Sequence, residues 1–247
     1  GLAASALSSC PFLGEEKREG ISEERERESP HSGRWVLFSP ERCIGCDRCI
    51  RICRHDASPR IRWMSPEELL RELSKNRPFI RGVTVSGGEC TLYPAFLREL
   101  AALLLSEGLE LLLDSNGSYD FSEDPAGLLP LLSGVMLDLK AWKREEHERV
   151  TGTGNEEVLR NLRALLQCGK LYELRTVVVP GLFDYEGCIR ECARMLRPYP
   201  EVRYKIIAFR KNGVRAEYRD FESPTEEEMS RLLEIAKSEG AAKVLTL

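Results

Sequence analysis

Four cysteines stand within eleven residues near the start of the chain, at a spacing that suits metal binding. Cys43, Cys46, Cys49 and Cys53 form the pattern Cys-x2-Cys-x2-Cys-x3-Cys. Thiolates this close together can hold an iron–sulfur cluster from a single tight turn. A zinc site usually takes two separated cysteine pairs, and a disulfide framework does not suit a reducing compartment. The segment therefore predicts a [4Fe-4S] centre.

A further cysteine lies upstream of this segment. The spacing at 43–53 is that of one half of a two-cluster bacterial ferredoxin, in which the fourth cysteine points to the neighbouring cluster. Cys10 is followed by Pro11, which is how such a half normally ends. Cys10 is thus a candidate ligand of the cluster held by the first three cysteines of the segment, and Cys53 would point to a second cluster. The alternative is that Cys10 is an unliganded residue of an N-terminal tail.

A second group of polar residues stands where short apolar segments end. Paired glycines there let the backbone close around a small ligand, and an unpaired charge inside an apolar strand is costly. Because the carboxyl ends of parallel strands meet at one edge of a sheet, these segments predict one shared ligand rather than separate ion pairs. The segments are Ser86-Gly87-Gly88-Glu89, Asp114-Ser115-Asn116-Gly117, Asp138-Leu139-Lys140, and Arg175 within an apolar strand.

Helical and extended patterns alternate from residue 63 onward, and these elements must position the polar segments. Ser65 and Glu68 form a capping-box pattern with Pro66 at the first helical position, and Asn155 is a predicted helix cap. The alternation predicts a parallel sheet covered by helices, either a whole or partial barrel or a doubly wound fold. Helices are predicted from 66, at 94–106, 124–132, between 155 and 169, at 186–197 and 225–238, and strands at 82–85, 110–114, 135–140, 173–179, 202–209 and 243–247.

The composition of the chain argues against nucleic-acid-binding and membrane-spanning classes of protein. A chain of 247 residues with 42% hydrophobic content can bury a full core. The formal net charge of −4 provides no broad basic face for nucleic acid, and no apolar run approaches the roughly 20 residues that span a bilayer. Eleven of the fourteen residues at 15–28 are charged, which predicts a solvated linker. We expect a cytoplasmic monomer that binds neither nucleic acid nor membrane.

Five segments, in this order, resemble the activating enzymes of glycyl radical enzymes, which belong to the radical S-adenosylmethionine (radical SAM) superfamily. The branch that the chain resembles most is the YjjW-type activases, which carry a ferredoxin-like insertion. The resemblance covers the chain from about residue 34 onward and implies an α/β fold with a partial (β/α) radical SAM-type barrel. The segments are SGGE at 86–89, DSNG at 114–117, MLDLK at 136–140, LRTVVVPG at 174–181 and IIAFRKNG at 206–213.

The resemblance also implies a set of ligand-binding residues. The three residues of the GGE segment would hold the amino group of S-adenosylmethionine, and Asp114, Lys140 and Arg175 would contact its carboxylate and ribose region. Asp114, Asp138 and the backbone of Met136 would be candidates for a monovalent cation site, where a cation offsets carboxylate repulsion. The cofactor-binding candidates are Gly87, Gly88, Glu89, Asp114, Ser115, Lys140, Arg175 and Arg210.

The reaction implied by the resemblance is reductive cleavage of S-adenosylmethionine at a [4Fe-4S] cluster, after which a deoxyadenosyl radical removes hydrogen from a glycine of the partner enzyme. The implied partners are a glycyl radical enzyme and a flavodoxin or ferredoxin as electron donor. The expected regions are an N-terminal remnant and charged linker at 1–33, a ferredoxin-like [4Fe-4S] segment at 34–62 and the partial barrel at 63–247.

The chain departs from the family pattern at several positions. The cluster motif Cys-x3-Cys-x2-Cys is absent, because Cys188 and Cys192 are followed by Met195. The motif belongs after a first barrel strand upstream of residue 10, so we expect that strand to be missing and a chain of residues 1–247 to be inactive. Cys188 and Cys192 are expected to be buried as small apolar residues. Arg210 stands where many activases have histidine, and Cys90 replaces the usual proline after GGE.

Two other functions stay open at this point. The chain could be a non-catalytic electron-transfer protein whose barrel is a scaffold, which predicts no binding of S-adenosylmethionine. It could also be an ordinary barrel enzyme with a structural zinc, which predicts zinc and no visible absorbance after anaerobic purification.

Overall fold

The structure of the chain is a computed structural model that describes residues 39–52, 63–211, 218 and 220–247. Two of the predicted cluster ligands, Cys10 and Cys53, lie outside the described residues. The chain divides into two compact units, one up to Trp63 and one from Met64 to Leu247, and each is described by itself. In the described ranges, no helix has both the length and the apolar character that a membrane span requires.

The described part of the N-terminal unit is a short turn that carries the cysteines. It begins with one 3-10 turn, Pro40–Arg42, and ends with a short helix, α1 (Arg48–Ile52). Between these elements the backbone is left-handed at Gly45 (φ 69°) and at Asp47 (φ 54°), a conformation that glycine and aspartate tolerate better than most residues. Both left-handed residues lie between Cys43 and Cys49, within the cysteine segment.

The C-terminal unit is built on one sheet of six parallel strands that follow each other in chain order. A doubly wound sheet would reverse its strand order at a switch point, and a closed barrel would pair the first strand with the sixth. Neither arrangement occurs among the described residues, so the sheet confirms the open, partial-barrel prediction. The strands are β1 (Gly82–Val85), β2 (Glu110–Ser115), β3 (Gly134–Asp138), β4 (Leu171–Val178), β5 (Arg203–Ala208) and β6 (Lys243–Thr246).

Two helices of this unit begin at residues whose side chains cap them. The predicted capping box is confirmed, since Ser65 Oγ accepts from the Glu68 N–H at 3.2 Å and the Ser65 N–H donates to Glu68 Oε2 at 2.8 Å. Thr225 caps the last helix by accepting from the Glu228 N–H. The helices are α2 (Pro66–Ser74), α3 (Pro94–Ser106), α4 (Arg144–Thr151), α5 (Glu156–Gln167), α6 (Tyr185–Leu196) and α7 (Glu226–Glu239).

The predicted helix at 124–132 is wrong. The segment is a loop with one 3-10 turn, Leu129–Leu131. Asp124 has a φ of +44°, and its carboxylate accepts from the backbone N–H groups of Leu128 and Leu129 at 2.8 and 2.9 Å. A side chain that takes these N–H groups competes with the helical hydrogen-bond ladder.

The prediction that Asn155 caps a helix also needs correction. Asn155 precedes α5, but its side chain makes no capping hydrogen bond and instead donates to the carbonyls of Ala141 and Trp142.

The predicted burial of Cys188 and Cys192 is confirmed, because both are in the core with 1% and 0% of their surface exposed.

The two faces of the sheet differ in polarity, as the alternation of side chains along a strand allows. One face is apolar and packed into the core; its members include Leu113, Leu137 and Leu174, each fully buried. On the other face, Asp138 lies opposite Arg175, which lies opposite Lys205. The sheet therefore brings charged residues that are far apart in the chain into one row.

Candidate functional site

The loop after β1 presents an open stretch of backbone. Gly87 has a φ of +154°, a conformation that side-chain-bearing residues rarely adopt. A Cβ atom built on Gly87 or on Gly88 would meet no heavy atom within 4 Å, and both glycines are exposed. Their backbone amide and carbonyl groups can therefore be approached closely by a small ligand.

The next residue, Glu89, joins this loop to the loop after β2. Glu89 Oε1 accepts from the Thr91 N–H at 3.2 Å, the Thr91 hydroxyl at 2.6 Å and the Ser115 hydroxyl at 2.9 Å. Glu89 Oε2 accepts from the Asn116 N–H at 2.7 Å. All four partners are neutral donors, so in this structure the carboxylate fastens two loops together. Ser115, a predicted cofactor-binding residue, is buried and takes part in the same contact.

The loop after β2 is held from its other side by a buried amide. Asn161 on α5 donates to the carbonyls of Gly117 and Tyr119 at 2.8 and 2.7 Å, and its Oδ1 accepts from the Phe121 N–H at 2.8 Å. Gly117 has a φ of +77°, and a Cβ there would lie 2.9 Å from Leu137 Cδ1. Sequence reasoning missed Asn161, although an amide on the apolar stripe of α5 was a usable signal.

Arg175 lies at the centre of the charged row and is only 16% exposed. Its Nη1 pairs with Asp114 Oδ2 at 2.7 Å, and its Nε pairs with Glu173 Oε1 at 2.6 Å. Its Nη2 lies 2.8 Å from the sulfur of Met136. The structure thus brings two predicted site residues, Asp114 and Arg175, into direct contact and adds one that the sequence analysis missed, Glu173.

The Glu173 side chain is fully buried and is surrounded by cations. Lys205 Nζ lies 2.9 Å from Oε1, and Arg203 Nε lies 3.3 Å from Oε2. Burial by itself would raise the pKa of Glu173, but hydrogen bonds from Arg175 and Lys205 outweigh burial and hold the pKa below its ordinary value. Glu173 is therefore ionised at neutral pH.

The segment at 138–140 contains an ion pair between two of its own residues. Lys140 Nζ lies 2.6 Å from Asp138 Oδ2, and both side chains are partly exposed. Asp114 is paired with Arg175 in the same way. Both carboxylates that were predicted to bind a monovalent cation thus already have a cationic side chain, so the structure does not support that cation site. Arg210 follows β5 and is exposed.

Cys90 lies in the loop after β1 and contacts the end of β2. Its thiol is buried and donates to the carbonyl of Asp114 at 3.4 Å. Burial, together with the nearby carboxylates of Glu89 and Asp114, raises the pKa of the Cys90 thiol to about 11. Cys90 is thus a neutral hydrogen-bond donor at physiological pH rather than a thiolate ligand.

The residues at the edge of the sheet fit S-adenosylmethionine by their chemistry. The open backbone at Gly87 and Gly88 offers acceptors for an ammonium group, and Arg175 and Lys140 offer cationic donors for a carboxylate.

In the N-terminal unit, the cysteines are the type of ligand that a [4Fe-4S] cluster takes. Cys43 and Cys46 are exposed and Cys49 is partly buried, all as free thiols. Within the described ranges, however, no three His, Cys, Asp or Glu side chains converge as metal ligands.

Comparisons with known proteins identify the family of this chain. The model of the radical SAM superfamily matches residues 38–190. A Haemophilus influenzae protein whose name assigns it to the glycyl-radical enzyme activating enzymes is 32% identical over 227 residues, which cover 83% of this chain and 86% of the relative. A pyruvate formate-lyase-activating enzyme of Staphylococcus aureus is 26% identical over 212 residues, covering 78% of this chain and 84% of that protein.

A solved domain of a pyruvate-formate lyase-activating enzyme from Bacteroides vulgatus has the same fold, with a TM-score of 0.57 and 21% identity over 67% of this chain and 98% of that domain. The open parallel sheet and the family match together define a radical SAM enzyme. Within that superfamily, the chain belongs to the glycyl radical enzyme activating enzymes.

The contacts of Glu89 generate a first prediction. Replacing Glu89 with alanine leaves the Ser115 hydroxyl and the Asn116 N–H without their acceptor, so we expect unfolding to become easier by about 1–3 kcal/mol. Chemical denaturation followed by circular dichroism measures the change. Glu123→Ala, which removes an exposed loop carboxylate, is the control, and an equal effect of both substitutions would refute the role of Glu89.

The raised pKa of Cys90 generates a second prediction. At pH 8 the buried thiol should react with iodoacetamide far more slowly than the exposed thiol of Cys168, because the thiolate is the nucleophile. Peptide mass spectrometry after timed alkylation of the folded chain compares the two sites directly. Equal rates in the folded chain would show that Cys90 is neither buried nor protonated, and equal rates after denaturation are the internal control.

Proposed function

We propose that the protein binds S-adenosylmethionine at the carboxyl edge of the sheet and uses it to generate a glycyl radical on a partner glycyl radical enzyme. Two observations carry the proposal: the Asp114–Arg175 ion pair, and the open backbone of Gly87 and Gly88 in the loop after the neighbouring strand β1. Cys90 and Glu89 connect the glycine loop to the end of β2, where Asp114 lies. One small ligand can therefore meet the glycine backbone and the guanidinium together.

Each residue at this edge would bind a different group of the ligand. The backbone at Gly87 and Gly88 accepts hydrogen bonds from the ammonium group, and Arg175 donates to the carboxylate. Lys140, which is 32% exposed, is a second donor near the ligand. A bound [4Fe-4S] cluster would supply the electron for reductive cleavage, which these side chains cannot supply. The chain itself binds and orients the sulfonium nucleotide.

The cysteine segment is proposed to hold a further [4Fe-4S] cluster that passes electrons from a flavodoxin or ferredoxin. Cys43, Cys46 and Cys49 would be its ligands, with Cys10 as the candidate fourth, and Cys53 would point to a second cluster. Residues 1–247 contain no Cys-x3-Cys-x2-Cys motif, so we propose that a chain of these residues alone binds S-adenosylmethionine without cleaving it. A cytoplasmic, monomeric enzyme fits this proposal.

Binding of S-adenosylmethionine by the full chain is the first test of the proposal. Titration calorimetry under anaerobic conditions should show binding, and Arg175→Lys should weaken it about tenfold, because a lysine keeps the charge but loses the planar fork that pairs with a carboxylate. Arg163→Lys, on the exposed side of α5, is the matched control. If the native chain takes up iron yet does not bind the nucleotide, the electron-transfer alternative replaces this proposal.

The reaction is tested with the protein purified anaerobically from its native cells. Incubation with S-adenosylmethionine, reduced flavodoxin and a glycyl radical enzyme from the same cells should produce the electron paramagnetic resonance doublet of a glycyl radical. Omission of each component in turn is the control. A doublet that forms equally well without this protein would rule out the proposed activity.

A further inference from the structure

The environment of Glu173 is unusual for a carboxylate in a strand. Glu173 and Arg175 stand two residues apart on β4 and therefore on the same face of the sheet. The Glu173 side chain has no exposed surface, whereas that of Arg175 is 16% exposed. The carboxylate thus lies beneath the guanidinium and not at the surface where a ligand would bind.

The guanidinium of Arg175 is held at two of its three nitrogens. Glu173 Oε1 accepts from Nε at 2.6 Å, and Asp114 Oδ2 accepts from Nη1 at 2.7 Å. The third nitrogen, Nη2, contacts the thioether sulfur of Met136, which is only a weak acceptor. Because two strong acceptors on different strands fix the planar group, its orientation is set before any ligand arrives, and Nη2 can exchange a weak partner for a strong one.

From this geometry we infer that Glu173 is a positioning residue, which orients Arg175 toward the carboxylate of S-adenosylmethionine without touching the ligand. The inference rests on the proposed function, since it takes the ligand of Arg175 to be that carboxylate. Glu173 acts through Arg175, so its contribution concerns the carboxylate end of the ligand and no other part of it.

The charges around Glu173 agree with this role. The cluster contains two carboxylates, Asp114 and Glu173, and three cations, Arg175, Lys205 and Arg203. One positive charge is therefore unbalanced, and an anionic ligand group would balance it. Lys205 has a different role, because among the described residues its ammonium group pairs with Glu173 and not with Asp114, the other carboxylate that holds Arg175. This difference allows positioning to be separated from stability.

A purely structural ion pair is the competing explanation, and Lys205 provides the means to test it. Removing Glu173 alone would leave buried cations unpaired and could unfold the chain. The double variant Glu173→Leu with Lys205→Met removes the carboxylate together with one counter-ion. Lys205→Met alone keeps the bond between Glu173 and Arg175 and serves as the matched control. Circular dichroism and thermal melting establish that both variants are folded.

The test is titration calorimetry of the full chain with two nucleotides, S-adenosylmethionine and its decarboxylated form, which lacks only the carboxylate. The double variant should bind S-adenosylmethionine about tenfold more weakly than the native chain does, since hydrogen bonds to charged groups have roughly this effect. Its affinity for the decarboxylated nucleotide should stay within about twofold of the native value. The Lys205→Met control should bind both nucleotides as the native chain does.

Each other outcome contradicts the inference in a recognisable way. Unchanged binding of S-adenosylmethionine by the double variant would show that Arg175 is oriented without Glu173. An equal loss for both nucleotides would show that the carboxylate maintains the sheet and does not act through Arg175. Failure of the native chain to bind either nucleotide would instead overturn the proposed function, and this inference with it.

Discussion

The site depends on one constraint, which is that a guanidinium within a mostly apolar strand must find carboxylates to pair with. Arg175 finds Asp114 on β2 and Glu173 on its own strand, and Glu173 in turn pairs with Lys205 on β5. Removing one member of such a set leaves a buried charge unpaired, which is far more costly than losing a surface pair. The ion pairs therefore fix the positions of β2, β4 and β5 relative to one another at the level where a ligand would bind.

Around this charged centre, the loops at the carboxyl edge are held by side chains from neighbouring segments. Glu89 connects the first loop to the second, and Asn161 anchors the second loop to α5. Asn155, just before the same helix, donates to the carbonyl of Trp142 in the loop after β3. Loops usually vary and move more than the elements they connect, yet each of these loops makes at least one buried or partly buried hydrogen bond of this kind. A rigid edge of this kind suits a site that must hold a reactive ligand in one orientation.

Local signals in the sequence predicted the elements well, and contacts between distant segments explain what was missed. Proline at position 94 and glycine at position 108 bracket α3, whose bounds match the prediction. The sequence favoured one shared ligand over separate ion pairs at Arg175, whereas in the structure Arg175 pairs with the carboxylates of Asp114 and Glu173. Glu173 was not predicted to be buried, since its burial depends on cations that β5 contributes some thirty residues later. The helix predicted at 124–132 failed because one aspartate captured the N–H groups that a helix would have used.

A single irregularity in the sheet brings the charged row together. Between β3 and β4 the register shifts by one residue at Val135/Met136, and Asp138 consequently lies opposite Arg175. Without the shift, Asp138 would lie opposite Leu174, a fully buried residue of the apolar face. A slip of one residue moves every later side chain to the other face of a strand, and a bulge makes this change locally. Because of the shift, the apolar residues of both strands stay in the core. Their charged residues lie together on the other face of the sheet. Sequence periodicity within either strand cannot reveal this, because the shift is a property of how the two strands pair.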